Sequence, residues 1–193
     1  AARMHTGIGN IATGYESGNS VTGDYNNASG SGAGGSVAGN YNVASGTSAG
    51  QNVAGSRNVT SGIVAGRNVQ GDSNIGMADG AGSNVTGPRN AALGYRAGRD
   101  VEGDSNTAIG ANAGGSVIGS NNVAIGTDAG RTVTASNTVS IGNAAKANAA
   151  DAIAIGTGAQ ANGVQSISVG TGNIVNGANS GAFGDPNTVN GSG

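Results

Sequence analysis

The sequence predicts an all-β fold, a parallel β-solenoid or β-roll of 14–16-residue coils in which each coil contributes two short strands. Three observations support this prediction: a 16-residue repeat fills most of the chain, the period later shortens to 14, and each repeat contains two short β-prone runs bounded by Gly, Asn, Asp and Ser. A helix is excluded because Gly or Asn recurs every few residues without a 3.6-residue apolar period.

The 16-residue repeat is defined by three aligned columns. A Gly column follows the Asn column four residues on, with Ala78 as its only exception, and a Val column is unbroken from Val21 to Val133. We expect the Gly residues to permit positive φ at corners, and the stacked Asn side chains to form amide ladders between coils. The Asn column consists of Asn10, Asn26, Asn42, Asn58, Asn74, Asn90, Asn106 and Asn122.

The period shortens after Gly142, because Gly142, Gly156, Gly170 and Gly184 stand 14 residues apart. Aligning these repeats places the two missing residues just after a shared Ala, where a turn can absorb them without inverting the faces of a strand. We therefore assign residues 1–9 to a lead-in segment, 10–137 to eight 16-residue repeats and 138–193 to four 14-residue repeats, which makes twelve coils of one continuous solenoid.

The two strands of a repeat are expected to have different surroundings. In the second strand, such as Arg131-Thr-Val-Thr134, Val faces inward between polar neighbours. The first strand is apolar on both faces, with Ala on one and Ile or Val on the other, so both faces should be buried. A coil this small covers only one, so the sequence predicts an oligomer of parallel chains about a cyclic axis. The predicted core and interface residues are Ile109, Val123, Ile125, Val139, Ile141, Ile153, Ile155, Ile167 and Val169.

The first-strand motif resembles the head repeats of trimeric autotransporter adhesins of the YadA type, as in Asn122-Val-Ala-Ile-Gly126 and Ala152-Ile-Ala-Ile-Gly156. The resemblance covers residues 10–193. It implies a left-handed parallel β-roll and a parallel homotrimer, displayed on the outer membrane of a Gram-negative bacterium and in contact with host surfaces. The membrane β-barrel, stalk and neck of that family are not found, so we expect a fragment of the head.

Two departures from the family pattern stand out. The residue before the marker Gly is Thr or Ser in the first four coils and apolar from Met77 onward. No repeat matches the N-S-V-A-I-G-x-x-S string that is associated with collagen binding in this family, so the resemblance does not extend to collagen as a ligand.

The composition argues against several function classes. Eight basic and ten acidic residues provide no cationic field for nucleic acid or an anionic membrane, and no apolar run approaches the length of a membrane span. The chain has no Cys, and its only His is His5 near the amino end. Asp24, Asp72 and Asp104 share a turn column that we interpret as a solvated face. We therefore expect a non-enzymatic protein without a metal or a cofactor.

Two surface columns are candidates for ligand contact. Tyr25, Tyr41, Arg57 and Arg89 share one column, and Arg67, Arg99 and Arg131 share another. Tyr and Arg dominate recognition hot spots, so we expect the first column to bind host extracellular matrix or a cell-surface protein multivalently. The alternatives are a solvated scaffold and a purely structural spacer in a fibre shaft. An ice-binding solenoid would require paired Thr columns, which the sequence lacks.

Overall fold

The computed structural model describes residues 5–184 and 186–193, which form an all-β parallel solenoid of about 11 turns. The described residues contain no helix, and hence none that is long and apolar enough to cross a lipid bilayer. Residues 1–4 of the predicted lead-in lie outside the described part. His5–Thr6 already pairs with Val21–Thr22, while nothing is described of the His5 side chain.

The first strands of the repeats form one sheet of 12 strands along the whole solenoid. These strands are β2 Ile11–Thr13, β4 Asn27–Ser29, β6 Val43–Ser45, β8 Val59–Ser61, β10 Ile75–Met77, β12 Ala91–Leu93, β14 Thr107–Ile109, β15 Val123–Ile125, β16 Val139–Ile141, β18 Ile153–Ile155, β20 Ile167–Val169 and β22 Gly181–Phe183. We call it the long sheet.

The second strands form two shorter sheets instead of one. The sheet of seven strands contains β1 His5–Thr6, β3 Val21–Thr22, β5 Val37–Ala38, β7 Val53–Ala54, β9 Val69–Gln70, β11 Val85–Thr86 and β13 Val101–Glu102. The sheet of four strands contains β17 Lys146–Ala147, β19 Gln160–Ala161, β21 Ile174–Val175 and β23 Thr188–Val189.

The register of the long sheet changes once while its pairing continues. Ile11 pairs with Asn27, 16 residues on, whereas Val139 pairs with Ile153, 14 residues on. The four-stranded sheet begins at Lys146, directly after the buried Ala145, whereas the matching segment after Ala129 is a turn. The shorter path therefore lies in the turn between the two strands, and the long sheet keeps its inward and outward faces.

The predicted second strand at Arg131–Thr134 is wrong. Residues 131 and 132 lie in a turn, and residues 133 and 134 have no strand structure. The seven-stranded sheet ends at β13, and only an isolated bridge between Glu102 and Ile118 continues it. This segment stands where the offset between turns changes from 16 to 14, so the second strands on its two sides cannot pair with it in one common register.

The interior is built from small side chains. A column of eight buried valines, from Val21 to Val133, fills the first part of the solenoid. The Ala residues of the long sheet face this interior; Ala92 and Ala108, for example, are 2% and 4% exposed. In the shorter coils a cluster of buried Ala residues replaces the valines, including Ala147 and Ala161. Parallel stacking at about 4.8 Å per turn brings like side chains into contact, so no aromatic core is needed.

Candidate functional site

The candidate contact column lies at a corner between the second strand of one coil and the first strand of the next. Tyr25, Tyr41, Arg57 and Arg89 have φ of 56°, 59°, 60° and 61°. Each backbone N–H donates to a carbonyl of the preceding coil; that of Arg57, for instance, donates to the Asn40 carbonyl at 2.9 Å. The left-handed corner fixes the backbone and leaves the side chain on the outside of the solenoid.

Tyr25 and Tyr41 form an aromatic stack on this corner. Their ring centroids are 5.4 Å apart and the rings are within 8° of parallel. The residues are 50% and 55% exposed, so each ring is covered on one side by its neighbour and remains open at its edge. A stacked pair loses little conformational freedom when it meets a partner, because its rotamers are already restricted by the contact.

Arg57 and Arg89 repeat one arrangement two coils apart. Arg57 Nη2 lies 3.6 Å from Asp72 Oδ2, and Arg89 Nη2 lies 3.8 Å from Asp104 Oδ2. Their Nε atoms donate to Ser73 Oγ at 3.4 Å and to Ser105 Oγ at 3.1 Å.

Both arginine side chains are 63% exposed, so these ion pairs contribute about 0–1 kcal/mol to stability. Their main effect is to orient the guanidinium groups along the solenoid axis.

An open depression of about 600 Å³ lies between the two ion pairs, with Ser73 and Pro88 in its lining. Pro88 occupies the column that elsewhere carries Asp, Asn or Ser. The stack, the two guanidinium groups and this depression therefore form one continuous polar and aromatic strip on the outer surface, without a deep pocket.

The nine predicted core and interface residues lie on the outward face of the long sheet. Within the single chain, Ile109 and Ile155 are 40% and 37% exposed and the other seven are half-buried. The outward face also carries exposed apolar side chains elsewhere along the sheet: Ile11, Val43, Val59, Ile75, Met77, Leu93 and Phe183. The solenoid thus has one apolar face along most of its length.

The Asn column is linked through its side chains. Asn106 shows the pattern, because its backbone N–H and its Nδ2 each donate to Asn90 Oδ1 at 3.0 Å, and Nδ2 also donates to the Gly119 carbonyl at 2.9 Å. Asn10 is half-buried, and Asn26 to Asn122 are buried. At Asn74 the Nδ2 group is buried without a partner, since the Gly87 carbonyl accepts from Asn90 instead.

Sequence reasoning missed a second polar column that contains Asp24 and Asp72. The Ile8 N–H donates to Asp24 Oδ1 at 2.9 Å and the Ser56 N–H donates to Asp72 Oδ1 at 2.8 Å. The carboxylates therefore cap backbone groups of the preceding coil. The clue was present in the sequence, because Asn40, Ser56, Ser120 and Ser136 occupy the same column and share an acceptor oxygen.

The described residues hold no group of three or more His, Cys, Asp or Glu side chains that could bind a metal ion. No known protein-family model matches the chain, and no curated protein is significantly similar to it in sequence.

Proposed function

We propose that this chain is the head of a surface-displayed, non-enzymatic adhesin, a left-handed β-roll that assembles as a parallel homotrimer. The observation that carries the proposal is the apolar outward face of the long sheet, where Ile109, Leu93 and Ile155 remain exposed in the single chain. An apolar face of this extent is unusual for a soluble monomer and typical of an interface.

Two further copies of the chain are the occupants that best fit this face. Its apolar side chains repeat at a spacing of about 4.8 Å, set by the strand stacking, and only an identical solenoid in parallel register offers the same repeat. Charged residues are absent from the described strands of the long sheet. A cyclic arrangement of three chains buries one such face per chain around a common axis without leaving an open end.

The strip formed by Tyr25, Tyr41, Arg57 and Arg89 is the proposed contact with host extracellular matrix or a host cell-surface protein. A solenoid this thin offers no deep pocket for a small substrate, so the partner is an extended surface. Three chains present the strip three times, and weak contacts gain apparent affinity through effective concentration, by about 10²-fold or more where the geometry permits. The proposed location is the surface of a Gram-negative bacterium.

Attachment of the oligomer to cultured epithelial cells and to matrix-coated surfaces tests this function. The variant carries Tyr25→Ser, Tyr41→Ser, Arg57→Ser and Arg89→Ser. Ser fits the corner, because Ser73 and Ser105 hold the same left-handed conformation in this column, with φ of 61° and 58°. We expect an unchanged melting temperature and a loss of attachment of at least tenfold.

A control variant with Tyr15→Ser and Arg67→Ser removes the same residue types from other columns and should attach like the parent. Undiminished attachment of the fourfold variant would contradict the assignment of the strip. Undiminished assembly with no attachment by the parent would favour the structural spacer.

A further inference from the structure

Three arginines that belong to none of the sites above meet at another corner of the solenoid. Arg96, Arg99 and Arg131 line a cleft of about 100 Å³, together with Asn112, Gly115 and Ser116. We call it the arginine cleft. The chain has only eight basic residues in total, so three in one small cleft concentrate a large share of its positive charge.

The cleft exists because a glycine stands between two arginines. Arg99, Gly115 and Arg131 occupy one column in successive coils, so the arginines are about 9.6 Å apart along the axis. A Cβ atom at Gly115 would lie 3.4 Å from the Asn112 carbonyl oxygen and 3.9 Å from Arg131 Nε. A side chain at this position would therefore fit sterically and would extend into the space that the cleft now leaves open.

The carboxylates near the cleft orient its arginines but do not line it. Arg99 Nε lies 3.1 Å from Asp100 Oδ2, and Arg131 Nη1 lies 3.1 Å from Asp128 Oδ1. A guanidinium group has five N–H donors, and each of these contacts uses one of them. Most donors of both groups thus remain free for a ligand.

Arg96 is positioned in a different way. Its guanidinium carbon lies 4.8 Å from the centroid of the Tyr95 ring, a cation–π contact that leaves the edge of the guanidinium group open. Tyr95 is 46% exposed beside the cleft. The arrangement combines three cationic forks with an aromatic surface and with the hydroxyl and amide groups of Ser116 and Asn112.

We propose that the arginine cleft binds a sulfate ester on a host glycan. A sulfate ester presents three terminal oxygens, which match three guanidinium groups that approach from different coils, and its size matches the cleft. The surroundings favour a sugar over a peptide, because Ser116, Asn112 and the nearby Thr132 offer hydrogen bonds to hydroxyl groups and Tyr95 offers a stacking surface. The assignment of the ligand to a host surface rests on the proposed adhesive function, whereas the binding of sulfate does not.

Calorimetric titration of the purified protein at low salt tests this site without cells. The probes are a sulfated heparin-derived tetrasaccharide, the same tetrasaccharide after chemical desulfation, a sialylated oligosaccharide and an acidic peptide of equal charge. We expect measurable binding of the sulfated probe alone, with an affinity that falls as salt is raised. Arg131→Gln should weaken it about tenfold, as for the loss of one charge-assisted contact.

A matched pair of glycine variants separates the cleft from general charge. Gly115→Gln fills the cleft without changing the net charge and should abolish binding. Gly35→Gln makes the same change in the same column near the other end, where a Cβ atom has only ordinary contacts, and should bind like the parent. Gln already stands in this column at Gln51, so both variants should retain the parental melting temperature.

Binding that survives in both Gly115→Gln and Arg131→Gln would overturn the proposal, and so would the absence of binding. Equal affinity for the desulfated, sialylated or peptide probe would overturn the assignment to sulfate. Failure of cell attachment in the fourfold Ser variant leaves these titrations unchanged, so the two proposals fail independently.

Discussion

The 16-residue and 14-residue parts of the solenoid share one sheet but have different interiors. In the first part a column of valines fills the space behind the long sheet. In the second part Ala147 and Ala161 take the same column, before Val returns at Val175. Because the turn between the two strands is two residues shorter, the second strand follows the first more closely, and the space between them is filled by smaller side chains.

The polar ladders also change sides between the two parts. The Asn ladder of the 16-residue part is buried and ends where Thr138 donates to Asn122 Oδ1 at 2.6 Å. In the 14-residue part the amide ladder lies on the outer surface, where Asn148 Nδ2 donates to Asn162 Oδ1 at 2.6 Å and Asn162 Nδ2 donates to Asn176 Oδ1 at 2.7 Å. Stacked amides thus link coils in both parts, but the internal ladder requires the wider interior.

This comparison shows which feature of the coil can vary. The long sheet fixes the stacking, so a coil can lose two residues in a turn without inverting a strand. The turn that is shortened is the one that carries Arg99 and Arg131 in the 16-residue part. The arginine cleft is therefore confined to the longer coils, whereas the apolar outward face runs through both parts.

The largest expected difference between the two parts concerns their Asn ladders. Asn106→Ala removes a buried amide and leaves the Asn122 N–H and the Gly119 carbonyl without their partner, which should lower the free energy of unfolding by about 2–4 kcal/mol. Asn162→Ala, on the outer ladder, should change it by less than about 0.5 kcal/mol. Chemical denaturation measures both. Similar losses for the two variants would contradict the assignment of inner and outer ladders.

The second prediction concerns core volume. Ala147→Val adds two methyl groups to a fully buried position and should cost about 1–3 kcal/mol through overpacking. The reverse change in the wider part, Val85→Ala, should cost about 2 kcal/mol through a cavity. Both values come from denaturation curves of the single variants. If Ala147→Val were neutral or stabilising, the interior of the shorter coils would not be the narrower one.

The smallest expected effect is a gain at a turn that both parts share. Val64 has φ of 59°, a conformation that is unfavourable for a β-branched residue, and Gly158 and Gly172 hold the corresponding position in the 14-residue part. Val64→Gly should therefore raise stability by up to about 1 kcal/mol. Asn112→Gly serves as the control, because Asn tolerates this conformation, and its effect should be near zero. A loss of stability in Val64→Gly would show that packing of the Val side chain outweighs the strain.

The sequence predicted the long sheet well, because its columns are local and each side chain needs only the same side chain one coil away. It did not predict the loss of the strand at Arg131–Thr134, which depends on how two offsets meet in three dimensions. Nor did it predict the unpaired Asn74 Nδ2 group, although Pro88 next to Gly87 marked that coil as different. The ion pair of Arg57 with Asp72 was also missed, since the two residues belong to different columns and meet only when neighbouring coils stack.

The apolar outward face common to both parts is the central claim, and sedimentation equilibrium tests it most directly. The account predicts a single species of about three times the 18.0 kDa chain mass at micromolar concentration. Ile125→Asp, which places a charge on the half-buried outward face, should dissociate that species. A folded, monodisperse monomer of the unmodified chain at the same concentration would contradict the claim.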